Sequence, residues 1–150
     1  MSGSRALYEQ VILDHNKNPR NFKIIEDADR RIEGFNPLCG DHITIFLKLD
    51  GNTITDIGLQ GVGCAIAKSS ASIMSTVLKG KTIDEAKALF DRFHAMVTSP
   101  PDTPLDETSL GKLAVFGGVR EFPIRIKCAT LAWHALLAAI NDNGTQVSTE

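Results

Sequence analysis

The chain has 150 residues, 43% of them hydrophobic, enough to build the core of one domain across residues 1–150 and too short for a second. Its 16 basic and 18 acidic residues are dispersed and sum to a formal charge of -2, so no basic stripe follows a phosphate backbone and nucleic acid is excluded as a partner. No apolar run reaches the roughly 18 residues that cross a bilayer, Met1–Arg5 lacks the apolar stretch of a secretory signal, and three cysteines leave one thiol unpaired in any disulfide scheme. The expectation is therefore a cytoplasmic protein with reduced thiols and no membrane partner.

The first predicted element is a helix over residues 4–17, in which Leu7 and Val11, and Tyr8 and Ile12, make an apolar stripe that Asn18-Pro19 ends. His15 closes this helix and reads as a surface residue. A polar, irregular stretch through Asp27-Ala28-Asp29 leads to a short strand over residues 30–35, then to the turn Asn36-Pro37-Leu38-Cys39-Gly40-Asp41. From His42 the pattern takes a period of two. Ile43, Ile45, Leu47 and Leu49 lie on one face, and His42, Thr44, Phe46 and Lys48 lie on the other, which predicts a half-buried strand. Asp50-Gly51-Asn52 supplies hairpin chemistry and residues 53–60 return as the partner, giving a small antiparallel meander.

After Gly61-Val62-Gly63 the chain turns helical at Cys64 and stays so to Lys79, where Gly80 stops it. Thr82 opens a second helix with Glu85 as the other half of a capping box and Ile83, Ala86, Phe90, Phe93 and Val97 on one stripe; His94 falls on the exposed flank. Ser99-Pro100-Pro101-Asp102-Thr103-Pro104 reads as a stiff exposed loop, and residues 106–116 as a shorter helix closed by Gly117-Gly118. Pro123 to Lys127 reads as extended. Cys128 then starts a last apolar helix running to about Asn143, after which the tail is polar, so the ordered part is expected over residues 4–143.

Three cysteines, each at a junction between an extended segment and a turn or helix, are the chemical signal. In Cys39-Gly40-Asp41 a thiol and a carboxylate flank a glycine whose positive φ lets both converge. With Cys64 and Cys128 the set becomes three sulfurs and one oxygen, which suits tetrahedral zinc or one corner of an iron–sulfur cluster. Cys64 and Cys128, placed at helix starts, should have their thiolates favoured by the helix dipole, with Arg125 and Lys127 adding positive charge near Cys128. No histidine joins this set: His42 starts a strand that points it away from Asp41, and His134 lies about 120° around the last helix from Cys128.

Asn-Pro-x-Cys-Gly-Asp, Gly-x-Gly-Cys-Ala-Ile and Lys-Cys-Ala-Thr-Leu-Ala-Trp, in this order, resemble the iron–sulfur assembly proteins of the NifU N-terminal/IscU family, and more closely their SufU branch. The resemblance runs from Tyr8 to about Ile140. It implies an α+β fold with a three-stranded antiparallel sheet packed by about five to six helices, in agreement with the order of elements above. In the scaffold branch a histidine precedes the third cysteine; here that residue is Lys127, which is protonated at neutral pH and cannot replace an imidazole as ligand. The longer interval between the second and third cysteines also resembles SufU.

The resemblance further implies zinc on Cys39, Asp41, Cys64 and Cys128 and sulfurtransferase activity with a pyridoxal-phosphate cysteine desulfurase. Cys39 is then the sulfur acceptor, with Arg125, by its charge near Cys128, the candidate support for the thiolate; downstream iron–sulfur assembly scaffold proteins are candidate further partners, and the recipient of the sulfur is left open. The alternative it leaves open is a scaffold that holds iron or a transient [2Fe-2S] cluster on the same ligands. The proline loop and the surface around Cys39 are the expected desulfurase contacts.

Overall fold

A computed structural model describes residues 2–105, 107–141 and 146–148; the side chains of Leu7 and Tyr8, and all of Asp106, lie outside the described residues. Helix α1 (Ser2–Lys17) precedes the strands β1 (Arg30–Asn36), β2 (Asp41–Asp50) and β3 (Thr53–Val62). Helices α2 (Ala65–Leu78), α3 (Ile83–Val97) and α4 (Glu107–Leu110), a 3-10 helix (Gly111–Val119), helix α5 (Pro123–Asn141) and a short strand β4 (Gln146–Ser148) follow. β1 and β2 pair antiparallel with Arg30 opposite Leu47 and Asn36 opposite Asp41, and β2 and β3 pair antiparallel with His42 opposite Val62. The meander is as the period-two pattern predicts. Asp50 faces Thr53 across the hairpin, and an irregularity between Lys48 and Leu49 absorbs the strand twist there.

α5 and α2 cover the inner face of the sheet, α1 packs on α2, and α3 with the 3-10 helix packs against α5. Ile32, Ile45, Leu47, Ile57 and Leu59 from the strands meet Leu131, Leu136, Ile73 and Met74 from the helices in one core. A Cβ on Gly34 would come within 3.1 Å of the Leu131 side chain and 3.3 Å of Ala135, so the missing side chain sets how closely α5 lies on β1. Trp133 is wholly buried, stacked on Phe93 with ring centroids 4.6 Å apart, and its Nε1–H donates to Ser70 Oγ at 3.2 Å. The capping box forms as expected: Thr82 N–H donates to Glu85 Oε1 and Glu85 N–H to Thr82 Oγ1.

Several expectations are corrected. α5 begins at Pro123, so the stretch read as extended is its first turn; Phe122 O accepts Ile126 N–H at 3.0 Å, and proline at the first helical position loses no bond. This lengthening makes α5, at 19 residues, long and apolar enough to cross a membrane, contrary to the expectation of no such run. Here 61% of its apolar window is buried inside the protein against β1, β2 and α2, which accounts for its composition. The helix expected over residues 106–116 is a short α4 followed by a 3-10 helix that runs through Gly117-Gly118, the break falling where Gly111 takes a φ of +56°. Residues 146–148, expected in a polar tail, pair parallel with Glu33–Phe35 and cover the outer edge of β1. The proline loop is tied down by Arg120, whose Nη1 donates to Thr103 O at 2.7 Å, Pro100 O at 3.3 Å and Ser99 Oγ at 3.2 Å.

His15 is not a surface residue: it is 3% exposed, its Nδ1 lying 2.7 Å from Ser72 Oγ, which also accepts Arg20 N–H at 2.8 Å. The buried serines of α2 explain this, because they offer polar partners inside an otherwise apolar interface. His94 is half-buried, stacked on Phe90 and 5.8 Å from the ring of His134.

Two outcomes follow from this packing. Trp133→Ala should cost about 3–5 kcal/mol of stability in urea unfolding, since it empties a fully buried site and removes the donor to Ser70 Oγ. Burial lowers the pKa of His15 and of His134 below the ordinary 6.5, so the unfolded chain takes up protons first. Stability should be full above pH 6.5 and fall as pH drops below it, and His15→Gln should weaken that fall in urea midpoints compared at pH 7.5 and about 5.5.

Candidate metal centre

Each member of the three-thiol set is delivered by a different local device. Cys39 sits in the turn between β1 and β2, where Asn36 O accepts both Gly40 N–H at 2.9 Å and Cys39 N–H at 3.3 Å. Gly40 has a φ of +72°, which lets the chain reverse within five residues and put Cys39 and Asp41 on one side. Asp41 opens β2 and is 2% exposed. Cys64 is the N-cap of α2, as the sequence predicts: its Sγ accepts Ala67 N–H at 3.5 Å, and its own N–H donates to Asp41 Oδ1 at 2.8 Å. Cys128, in the second turn of α5, is 2% exposed.

The donor atoms of Cys39, Asp41 and Cys128 all lie within 4.8 Å of one another, with Cys39 Sγ 3.3 Å from Cys128 Sγ. Cys64 Sγ stands 4.0 Å from Asp41 Oδ2, at the side of this group. The structure thus gathers Cys39, Asp41 and Cys128 and sets Cys64 beside them. Zn–S bonds of about 2.3 Å and Zn–O bonds of about 2.0–2.2 Å hold tetrahedral donors roughly 3.5–4 Å apart, so small side-chain adjustments suffice for a cation. The donor set fits zinc chemically as well, since three sulfurs and a carboxylate are gathered with no cationic side chain paired to Asp41 among the described residues.

The helix-dipole expectation fails for Cys128. Because α5 starts at Pro123, its thiol lies beyond the first turn, where the dipole has faded. Burial pushes the Cys128 thiol well above the usual cysteine range, and its contacts with Cys39, Cys64 and Asp41 push it further. Metal binding reverses this balance, because a coordinated thiol gives up its proton. Arg125 does not reach the thiols. It is exposed, with its guanidinium 4.6 Å over the Phe122 ring, and no hydrogen bond or ion pair joins it to a cysteine among the described residues. His42 points away from Asp41 as expected, its Nε2 3.1 Å from Glu33 Oε1 and its ring stacked on Phe35.

Sequence reasoning missed Asn36. Fully buried at the end of β1, it donates from Nδ2 to Asp41 Oδ2 at 3.1 Å and to Cys128 Sγ at 3.4 Å, while its Oδ1 is buried without a partner. An unpaired buried acceptor costs about 1–3 kcal/mol. An asparagine directly before Pro37 reads as turn chemistry, and only the arrival of α5 turns it into a second-layer donor.

Without Cys128 the affinity for zinc should fall by more than about 100-fold, since loss even of a residue that merely orients a ligand costs 10–100-fold. Competition of Cys128→Ser against a chromophoric chelator measures this, and wild-type protein should release protons as zinc is added.

The NifU-like N-terminal domain is matched over residues 7–129. The chain is 43% identical over 131 residues to the zinc-dependent sulfurtransferase SufU of Bacillus subtilis (strain 168), covering 87% of each. It is 40% identical over 140 residues to the iron–sulfur cluster assembly scaffold protein IscU of Streptococcus pyogenes serotype M1, covering 93% of this chain and 86% of that one. Among solved structures, a protein from Fervidobacterium islandicum AW-1 described as an iron–sulfur cluster assembly scaffold protein for the SUF system (FiSufU) superposes with a TM-score of 0.82 at 33% identity, over 90% of this chain and 97% of that one. Matched over residues 7–129 and at least 40% identical to both curated relatives, the chain belongs to the NifU-like N-terminal domain family.

Proposed function

We propose that this protein is a zinc-dependent sulfurtransferase of iron–sulfur cluster assembly, accepting persulfide sulfur from a pyridoxal-phosphate cysteine desulfurase onto Cys39. The observation that carries this reading is the inequality of the two touching thiols: Cys39 is exposed in a glycine turn, and Cys128, 3.3 Å away, is buried. A sulfur acceptor must be reachable by a partner's catalytic cysteine. Cys64 is exposed as well but is tied to α2 as its N-cap, which leaves Cys39 as the reachable thiol outside any helix cap.

Cys39, Asp41, Cys64 and Cys128 would hold the zinc, which when bound supplies the positive charge that keeps thiols deprotonated at neutral pH. The Cys39 thiolate attacks the terminal sulfur of the partner's persulfide. A new S–S bond forms on Cys39, the S–S bond of the donor breaks, and the partner's cysteine leaves as a thiolate, so no oxidant or reductant is consumed. Asp41, fixed by Asn36 Nδ2 and by Cys64 N–H, keeps its place during the exchange. Lys127 beside Cys128 supports the SufU reading over a scaffold with a histidine ligand there, because an ammonium has no lone pair to give.

The zinc-loaded protein should strongly stimulate cysteine turnover by its cognate desulfurase, and the zinc-stripped protein should not. Cys39→Ser should fold normally yet return turnover to background. Full sulfur acceptance by Cys39→Ser sinks the assignment. If zinc suppresses turnover and iron-loaded protein assembles a [2Fe-2S] cluster, the site works as a scaffold, like the relatives named IscU.

A further inference from the structure

The three thiols of the centre differ in what they receive from the protein. Cys64 Sγ accepts the Ala67 N–H at 3.5 Å, and Cys128 Sγ accepts the Asn36 Nδ2–H at 3.4 Å. Among the described residues no N–H reaches Cys39 Sγ, whose sulfur meets Cys128 Sγ at 3.3 Å. An N–H donated to a thiolate draws charge from the sulfur and lowers its nucleophilicity, while the acceptor itself is held more firmly in place. Cys39 and Cys128 touch, so they compete for the same electrophile, and the donor bonded to one of them biases the competition.

That donor is a single buried amide with no freedom to turn. Both Nδ2 protons are used, one on Asp41 Oδ2 at 3.1 Å and one on Cys128 Sγ. A flipped amide would aim its oxygen at a carboxylate and a sulfur, and the observed orientation instead leaves Oδ1 buried without a partner. The main chain of the same residue closes the Cys39 turn through Asn36 O. One residue thereby touches the turn of the exposed Cys39 thiol, the carboxylate at the start of β2 and the buried thiol of α5.

We propose that Asn36 is a positioning residue that assigns different tasks to the ligands: it fixes Cys128 and Asp41 as the retained pair and so leaves Cys39 as the reactive thiolate. This deepens, and rests on, the reading of Cys39 as sulfur acceptor. The replacement Asn36→Leu keeps a side chain of similar size and keeps the main-chain bonds of the turn, while removing the donor.

The test is competitive labelling of zinc-loaded protein by iodoacetamide, with the modified cysteines counted by mass spectrometry. In the wild type Cys39 should be modified first. In Asn36→Leu the modification of Cys128 relative to Cys39 should rise about tenfold, the loss of one hydrogen bond to a charged group, with Cys64 unchanged because its Ala67 donor remains. An unchanged Cys128-to-Cys39 ratio, or an equal rise at all three cysteines as from general loosening, overturns the role of Asn36. Wild-type labelling that does not favour Cys39 overturns the acceptor reading itself, so the two failures are distinct. A second measurement needs no variant: in cadmium-loaded wild-type protein, NMR should show scalar coupling from the metal to an Asn36 side-chain amide proton across the N–H···S bond, and its absence overturns the proposal.

Discussion

The close approach of α5 to β1 is the contact on which the centre depends. Gly34 has no side chain to hold Leu131 and Ala135 away, so the helix lies directly across the strand. Two residues further along β1 stands Asn36, and one turn earlier along α5 stands Cys128, and they meet at 3.4 Å although 92 residues separate them. The buried serines of α2 fix the same helix from its other side, with Ser70 Oγ donating to Ala129 O at 2.6 Å and accepting from Trp133 Nε1.

Within that frame the ligands are graded by rigidity. Cys128 is carried by a core helix and Asp41 by a central strand, both nearly inaccessible. Cys64 is held by helix capping, an arrangement that points its sulfur at the first free amides of α2. Cys39 alone stands in a turn, where its main chain is held by Asn36 O and its side chain is left open to solvent. Of the three thiols Cys39 and Cys64 are exposed and Cys128 is buried, and only Cys39 lies outside a helix or its cap.

The electrostatics run in the same direction. Burial, with the neighbouring Cys39, Cys64 and Asp41 adding to it, holds the Cys128 thiol protonated until a cation arrives. Metal affinity is therefore coupled to proton release. Arg125 plays no part in this by contact, since its guanidinium lies over the Phe122 ring.

Local chemistry was readable wherever a rule of short range applied. The capping box at Thr82 and Glu85, the hairpin at Asp50–Thr53, the N-cap at Cys64 and the glycine turn at Cys39 each follow from neighbours within a few residues, and each is found. The sequence by itself therefore determined the strand meander, most helices and the junction positions of the three cysteines, because motif and period are encoded in adjacent positions. It misled where a short pattern has two readings: Pro123-Ile124-Arg125-Ile126-Lys127 alternates like a strand, yet it forms the first turn of α5, since packing of the following apolar face sets where that helix starts. Burial of His15 on Ser72, the pairing of residues 146–148 with β1, and the amide of Asn36 between Asp41 and Cys128 are contacts between distant segments. Only the tertiary structure decided these, because a partner's distance through space is fixed by how the layers pack and is written in no local stretch of the chain.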